Sequence, residues 1–317
     1  MDNVTTRDAR LARALAALNV GQDAAAREAC LSLLSEMPED PAVRQLMATV
    51  ALRANELVDA EQHVTISLRQ RPRHLPTLLL AGQIAQSADD LRLAATRLDH
   101  AATLDPARAD VAFARCRIEI ERASRPQSAH DESPDVASLI NDLQTRFPDF
   151  APGWTAIAAD LERAGQLQAA LVAIIRAITA APSVPALLKY AQLALQLAHP
   201  QQAAEALKRA LDLDPGMAPV WFKLGVVLQD LGRTETAIRA YEQALALKPD
   251  MAEAAANLGI LLQESGDLDA ARRAYGQALR ARADSFGRIA QALTAAPKGE
   301  LWLDLGALRS HLMAIEA

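Results

Sequence analysis

The chain has 317 residues, of which 51% are apolar, 23% charged and 3% aromatic. That mix is too apolar for a disordered chain and too poor in strand-forming residues for a sheet protein, so an all-α fold is expected. The 33 Lys and Arg against 39 Asp and Glu leave a net charge of −6, which argues against a nucleic-acid partner.

Two cysteines, Cys30 and Cys116, are too few for a disulfide framework. No apolar run approaches the roughly 18 residues a membrane span needs. Met1 to Arg13 is polar and charged, unlike a secretory leader. These features predict a cytoplasmic protein without membrane insertion.

Two rulers divide the chain. Pro38, Pro72 and Pro106 are spaced by 34 residues, as are Pro148 and Pro182, and Pro215 and Pro249. Ala26, Ala60, Ala94, Ala170, Ala203, Ala237 and Ala271 each precede the proline position by 12. Taken in chain order, a short lead, residues 1–6, is followed by three units at 7–40, 41–74 and 75–108. The fourth unit, 109–150, is 8 residues too long, and the excess maps to a polar loop, Ser124–Pro134. Its sequence, SRPQSAHDESP, fits a surface insertion between that unit's helices.

The fifth unit, 151–183, carries Trp154, Ile157, Ala158, Leu161, Gly165, Ala170, Ile174, Ala177 and Pro182. The sixth is 184–217. The seventh, 218–251, has Trp221, Leu224, Gly225, Leu228, Gly232, Ala237, Tyr241, Ala244 and Pro249. The eighth, 252–285, repeats Leu258, Gly259, Leu262, Gly266, Ala271, Tyr275 and Ala278, with Ala283 in the proline place. Each unit is predicted to be two helices. Gly225 and Ala237 let them approach, Trp221, Leu224 and Tyr241 fill the space around the contact, and Gly232 supplies a turn with positive φ. Proline ends the second helix. In the tail, 286–317, Ile289, Ala292 and Leu293 predict a helix ended by Pro297 and Gly299. Trp302, Leu305 and Gly306 then repeat the start of a unit, so the tail is expected to cap the array with helices.

This pattern resembles the tetratricopeptide repeat, a 34-residue unit with Trp, Leu-Gly, Ala, an aromatic, Ala and Pro in register. The resemblance implies an α-α superhelix, a solenoid of about eight helix-turn-helix units with the first helix of each lining a concave groove. It also implies a protein or peptide partner in that groove.

Catalytic signatures are missing. The sequence holds no glycine-rich phosphate loop and no Gly-x-Ser-x-Gly elbow. Its six histidines do not pair at metal-binding spacing, and the one local cluster, His130-Asp131-Glu132, falls in the insertion. Cys30 and Cys116 take packing positions and are expected inside. No catalytic residue, cofactor or metal is therefore expected.

The groove is left as the functional surface. By the resemblance, first-helix positions 2, 5, 6, 9, 12 and 13 point into it. Position 6 gives Lys189, Lys223 and Asn257, a row of donors for carbonyls or carboxylates. Positions 9 and 12 give Gln192, Gln229 and Gln263, with Gln83 and Gln86 in the third unit, amides able to donate and accept. Leu188, Phe222, Val226 and Ile260 at positions 5 and 9 would be apolar spots among them. The expected function is a non-catalytic interaction scaffold or adaptor. Two other readings stand beside it: a recruiting subunit for a separate modification enzyme of glycosyltransferase or sulfotransferase type, or an assembly factor for a secretion or envelope complex.

Overall fold

The computed structural model describes residues 2–125, 136–295 and 305–315. Every regular element among them is helical. Most of the Ser124–Pro134 insertion, with His130, Asp131 and Glu132, lies outside the described residues, as do Pro297, Gly299 and Trp302 of the tail.

Residues up to Gln166 form one compact unit. Its helices are α1 (Asp2–Asn19), α2 (Asp23–Glu36), α3 (Pro41–Arg53), α4 (Leu57–Gln70), α5 (Leu75–Ser87), α6 (Leu91–Leu104), α7 (Ala109–Ala123), α8 (Val136–Arg146) and α9 (Ala151–Arg163). α1 starts at Asp2, inside the stretch read from sequence as a lead. Helices pack pairwise, α1 on α2, α3 on α4, α5 on α6 and α7 on α8, and each second helix of the first three pairs packs on the next pair's first. α8 has only 11 residues, against 14 in α2, α4 and α6. Aromatic rings fill that irregular place: Phe113 meets Trp154 edge-on at 5.0 Å and Phe150 at 5.2 Å between centroids.

From Leu167 the chain forms a second compact unit. It holds α10 (Leu167–Ala180), α11 (Val184–Gln196), α12 (Pro200–Leu213), α13 (Ala218–Asp230), α14 (Thr234–Leu247), α15 (Ala252–Ser265), α16 (Leu268–Ala281), α17 (Phe286–Ala295) and α18 (Leu305–Ala314). α11 pairs with α12, α13 with α14 and α15 with α16. α17 packs on α15 and α18 on α16.

The two rulers have physical counterparts. All seven alanines of the sequence ruler are buried, none exposing more than 1% of its surface. The residue before each proline cannot stay helical, because the proline ring crowds it. Met37, Arg71, Asp105, Asp214 and Lys248 accordingly leave their helices with φ between −133° and −146°. Arg282 adopts the same extended conformation before Ala283, without a proline to force it. The tryptophans secure the turns: Trp221 Nε1 donates to the Pro215 carbonyl at 2.9 Å, and Trp154 Nε1 to that of Pro148 at 3.1 Å.

In the turns after α1, α3, α5, α9, α11, α13 and α15 a left-handed residue recurs. Gly21, Asn55, Asp89, Gly165, Ala198, Gly232 and Gly266 all have φ between +58° and +96°. Inside the pairs α5–α6, α13–α14 and α15–α16, a glycine on the first helix faces a larger residue on the second. A Cβ on Gly225 would stand 2.6 Å from the Tyr241 ring, and one on Gly259 would stand 2.5 Å from that of Tyr275. In the first unit Ala48 and Val64 belong to one buried cluster, as do Ala14 and Cys30. Cys30 and Cys116 are buried free thiols.

Candidate binding cleft

α11 and α13 are the first helices of consecutive pairs, and α12 lies between them in the chain. Together they enclose a cleft of about 420 Å³. Leu188, Leu195, Leu207, Phe222 and Val226 supply most of its wall, and Gln192, Gln196 and Lys223 its polar edge. Four residues expected in the groove, Gln192, Phe222, Lys223 and Val226, thus line one cavity. Leu188, read as an apolar spot, joins them.

Phe222 is held from behind. Its ring lies 5.9 Å from that of Tyr241 between centroids, tilted by 43°. Tyr241 is fixed in turn: its hydroxyl donates to Gln229 Oε1 at 2.8 Å and accepts from Asn257 Nδ2 at 3.2 Å. Burial pushes the Tyr241 phenol up to about 12 against the weaker opposite pull of the Asn257 bond, so it stays a neutral donor at ordinary pH. Lys223 is exposed and has no ion-pair partner among the described residues. Lys189 is half-buried and donates to Gln192 Oε1 at 3.4 Å, at the cleft's edge rather than in its wall.

Other expected contacts serve the protein itself. Asn257 also accepts from Arg288 of α17 at 2.5 Å, so both ends of its amide are engaged. The row Lys189, Lys223, Asn257 is therefore not a row of equally open donors. Gln263 is a correction: it is 1% exposed, accepts from the Tyr275 hydroxyl at 2.8 Å and donates to the Ala292 carbonyl at 3.3 Å. α17 covers the position that an open groove would expose. Ile260 is half-buried, and Gln229 gives its oxygen to Tyr241. In the first unit Gln86 donates to Glu121 at 2.7 Å.

Leu195 carries no such signal in the sequence, because it stands where later units hold the amides Gln229 and Gln263. Its 45% exposure on a first helix makes it part of the cleft. No group of three or more His, Cys, Asp or Glu able to hold a metal ion occurs among the described residues. No helix among them is long and apolar enough to cross a membrane.

Two family models, both described as tetratricopeptide repeat, match residues 216–284 and 184–227. Residues 184–284 are tetratricopeptide repeats. Solved tetratricopeptide-repeat structures resemble it over most of its length. The C-terminal part of one from Cytophaga hutchinsonii is 12% identical with a TM-score of 0.60, over 89% of this chain and 99% of that one. One from Parabacteroides merdae is 11% identical with a TM-score of 0.50, over 81% and 99%. YrrB, described as a tetratricopeptide-repeat protein with an unusual peptide-binding site, is 15% identical with a TM-score of 0.42, over 73% and 96%. At these identities the likeness to the first two is one of fold. No curated protein matches the chain in sequence. The cleft between α11 and α13 thus lies between the first helices of neighbouring repeats inside the matched stretch, and both models reach α13.

Proposed function

We propose that this protein is a non-catalytic interaction scaffold that seats a segment of a partner protein in the cleft between α11 and α13. The observation that supports this reading is the combination of an apolar wall with an unpaired cation at its edge. Phe222, Val226, Leu188 and Leu195 offer apolar area to water, which a partner side chain would remove at about 25 cal/mol per Å². Phe222 already rests on a fixed ring, so little side-chain freedom is lost when a partner covers it. Lys223 favours a partner carboxylate or backbone carbonyl beside the apolar contact, and the edge amides can follow an extended chain.

The test is a titration of a partner recovered by pull-down and then purified. Phe222→Ala is expected to weaken binding by about 2 kcal/mol or more, as for a central interface residue. Lys223→Glu is expected to weaken it by roughly 1–3 kcal/mol, with the loss shrinking at high salt. Helical content should be unchanged in both. Wild-type affinity in both variants would place the partner elsewhere on the protein.

A further inference from the structure

α10 is unlike the other second helices. Its sequence, LQAALVAIIRAITA, is almost wholly apolar. A helix that is apolar all round is normally buried on every side. Yet Val172 is 42% exposed and Ile175 43%. The repeat provides an internal control. Counting from the buried alanine of each second helix, the place of Val172 is taken by Glu205 in α12, Arg239 in α14 and Arg273 in α16. The place of Ile175 is taken by Lys208 and Glu242. The fold thus accepts charge at both places, and packing does not require the apolar pair.

Beside Ile175 lies a second cleft, of about 460 Å³, formed by α10, α11 and α12. Ile175, Ile178, Tyr190 and Ala206 contribute its apolar surface, and Gln201, Gln202, Glu205 and Arg209 its polar one. It shares no residue with the cleft between α11 and α13. The charges at its edge do not cancel. Glu205 is paired with Lys208 at 3.0 Å, whereas exposed Arg209 has no ion-pair partner among the described residues. The Tyr190 hydroxyl is occupied, donating to Gln202 at 3.0 Å.

From this we infer that the face of α10 and α12 is a second docking surface, and that its occupant is an amphipathic helix of another protein carrying a carboxylate beside its apolar stripe. Val172 and Ile175 are three residues apart, so they form a ridge one helix turn long. A ridge beside a groove suits the i, i+3, i+4 side chains of a docking helix. Arg209 fixes the charge of that helix: a fork of donors left open at the edge of an apolar cleft takes a carboxylate in bidentate fashion. This surface is independent of the peptide reading above, and either can fail without the other.

The experiment uses the full chain and a displayed library of amphipathic helical peptides with randomised charges, selected on wild type and counter-selected on Ile175→Lys. Selected peptides are expected to carry Asp or Glu at one fixed place beside the apolar stripe. Synthesised singly, they should bind Ile175→Lys and Arg209→Glu at least tenfold more weakly than wild type. Replacing the peptide's acid by Lys should restore binding to Arg209→Glu. Phe222→Ala should bind them like wild type, which separates this face from the other cleft. Val172→Lys, a second surface substitution, should reproduce Ile175→Lys, and far-UV circular dichroism should match wild type throughout. Four outcomes overturn the inference: no peptide depends on Ile175, the binders show no fixed acid, Arg209→Glu is silent, or the free chain self-associates through this face in a way that Ile175→Lys abolishes.

Discussion

At the scale of single residues, the repeat is held by pairs whose sizes add up. Gly225 exists for the Tyr241 ring, so Gly225→Leu overpacks a contact with no slack, since Tyr241 is fully buried. The expected cost is about 1–3 kcal/mol or more, read as a lower urea midpoint with faster hydrogen exchange in α13 and α14. Ala198 is the opposite case. It holds φ +58° where equivalent turns use Gly232 and Gly266. Left-handed backbone costs an L-residue roughly 1–2 kcal/mol, so Ala198→Gly is expected to raise stability by about 1 kcal/mol, measured by thermal or urea melts. The thiols follow from burial, which pushes Cys30 up to about 11 and Cys116 up to about 12. Both should resist a thiol reagent at neutral pH until the chain opens; fast labelling of the native protein would contradict that. Spacing alone made Gly225, Tyr241 and both cysteines legible. It could not reveal that Gln263 and Asn257 are spent on contacts to α17, because those bonds join residues about thirty positions apart, across a helix boundary that carries no repeat signal.

At the scale of helices, the ends are set by a few polar groups. Asp40 caps α3, accepting from the Ala42 and Val43 amides at 2.9 and 3.1 Å, and the guanidinium of Arg7 in α1 binds the same carboxylate at 2.7 Å. Burial pushes this carboxyl up, but the Val43 amide, Arg7 and the Ala42 amide together hold it below the usual carboxylate range. A carboxyl lowered in the folded state adds stability above its unfolded value, and that stability is lost as pH falls. Acid unfolding should therefore begin as pH drops through about 4, and Asp40→Asn should flatten that limb while costing stability at neutral pH. An unchanged acid limb in the variant would show that other carboxylates dominate it. The first and last helices were the hardest to read. α1 reaches back to Asp2, and the proline ruler has no mark before Pro38 that would announce it. α18 lies on α16 through Gly276, where a Cβ would come within 2.6 Å of the Leu312 carbonyl. A glycine inside a helix is a weak sequence signal, and nothing near Gly276 announces which backbone approaches it.

At the scale of the whole molecule, the core is a series of local contacts, and its periodicity was the most legible property of the sequence. The places where the period breaks, at α8 and in the tail, are where aromatic packing and the contacts of α17 with α15 and α18 with α16 take over from the repeat rule. The seams before α13 and α15 are nearly interchangeable. Met217 precedes α13 with φ −92° and ψ 83°, and Met251 precedes α15 with φ −78° and ψ 84°. Each is followed by alanine, Ala218 and Ala252. Excising residues 218–251 would join Met217 to Ala252 and recreate the same dipeptide in the same conformation. The shortened chain is expected to keep its helical circular dichroism and a cooperative melt, while Ala256 and Asn257 replace Phe222 and Lys223 beside α11, so a partner of that cleft should be lost. An unfolded product would show that the pairs are not exchangeable. For the gene, this matching seam means that loss or gain of the 34 codons for residues 218–251 would drop or add a whole helix pair in frame. Length becomes a heritable variable, and selection can change the number of clefts in a single step without first redesigning a core.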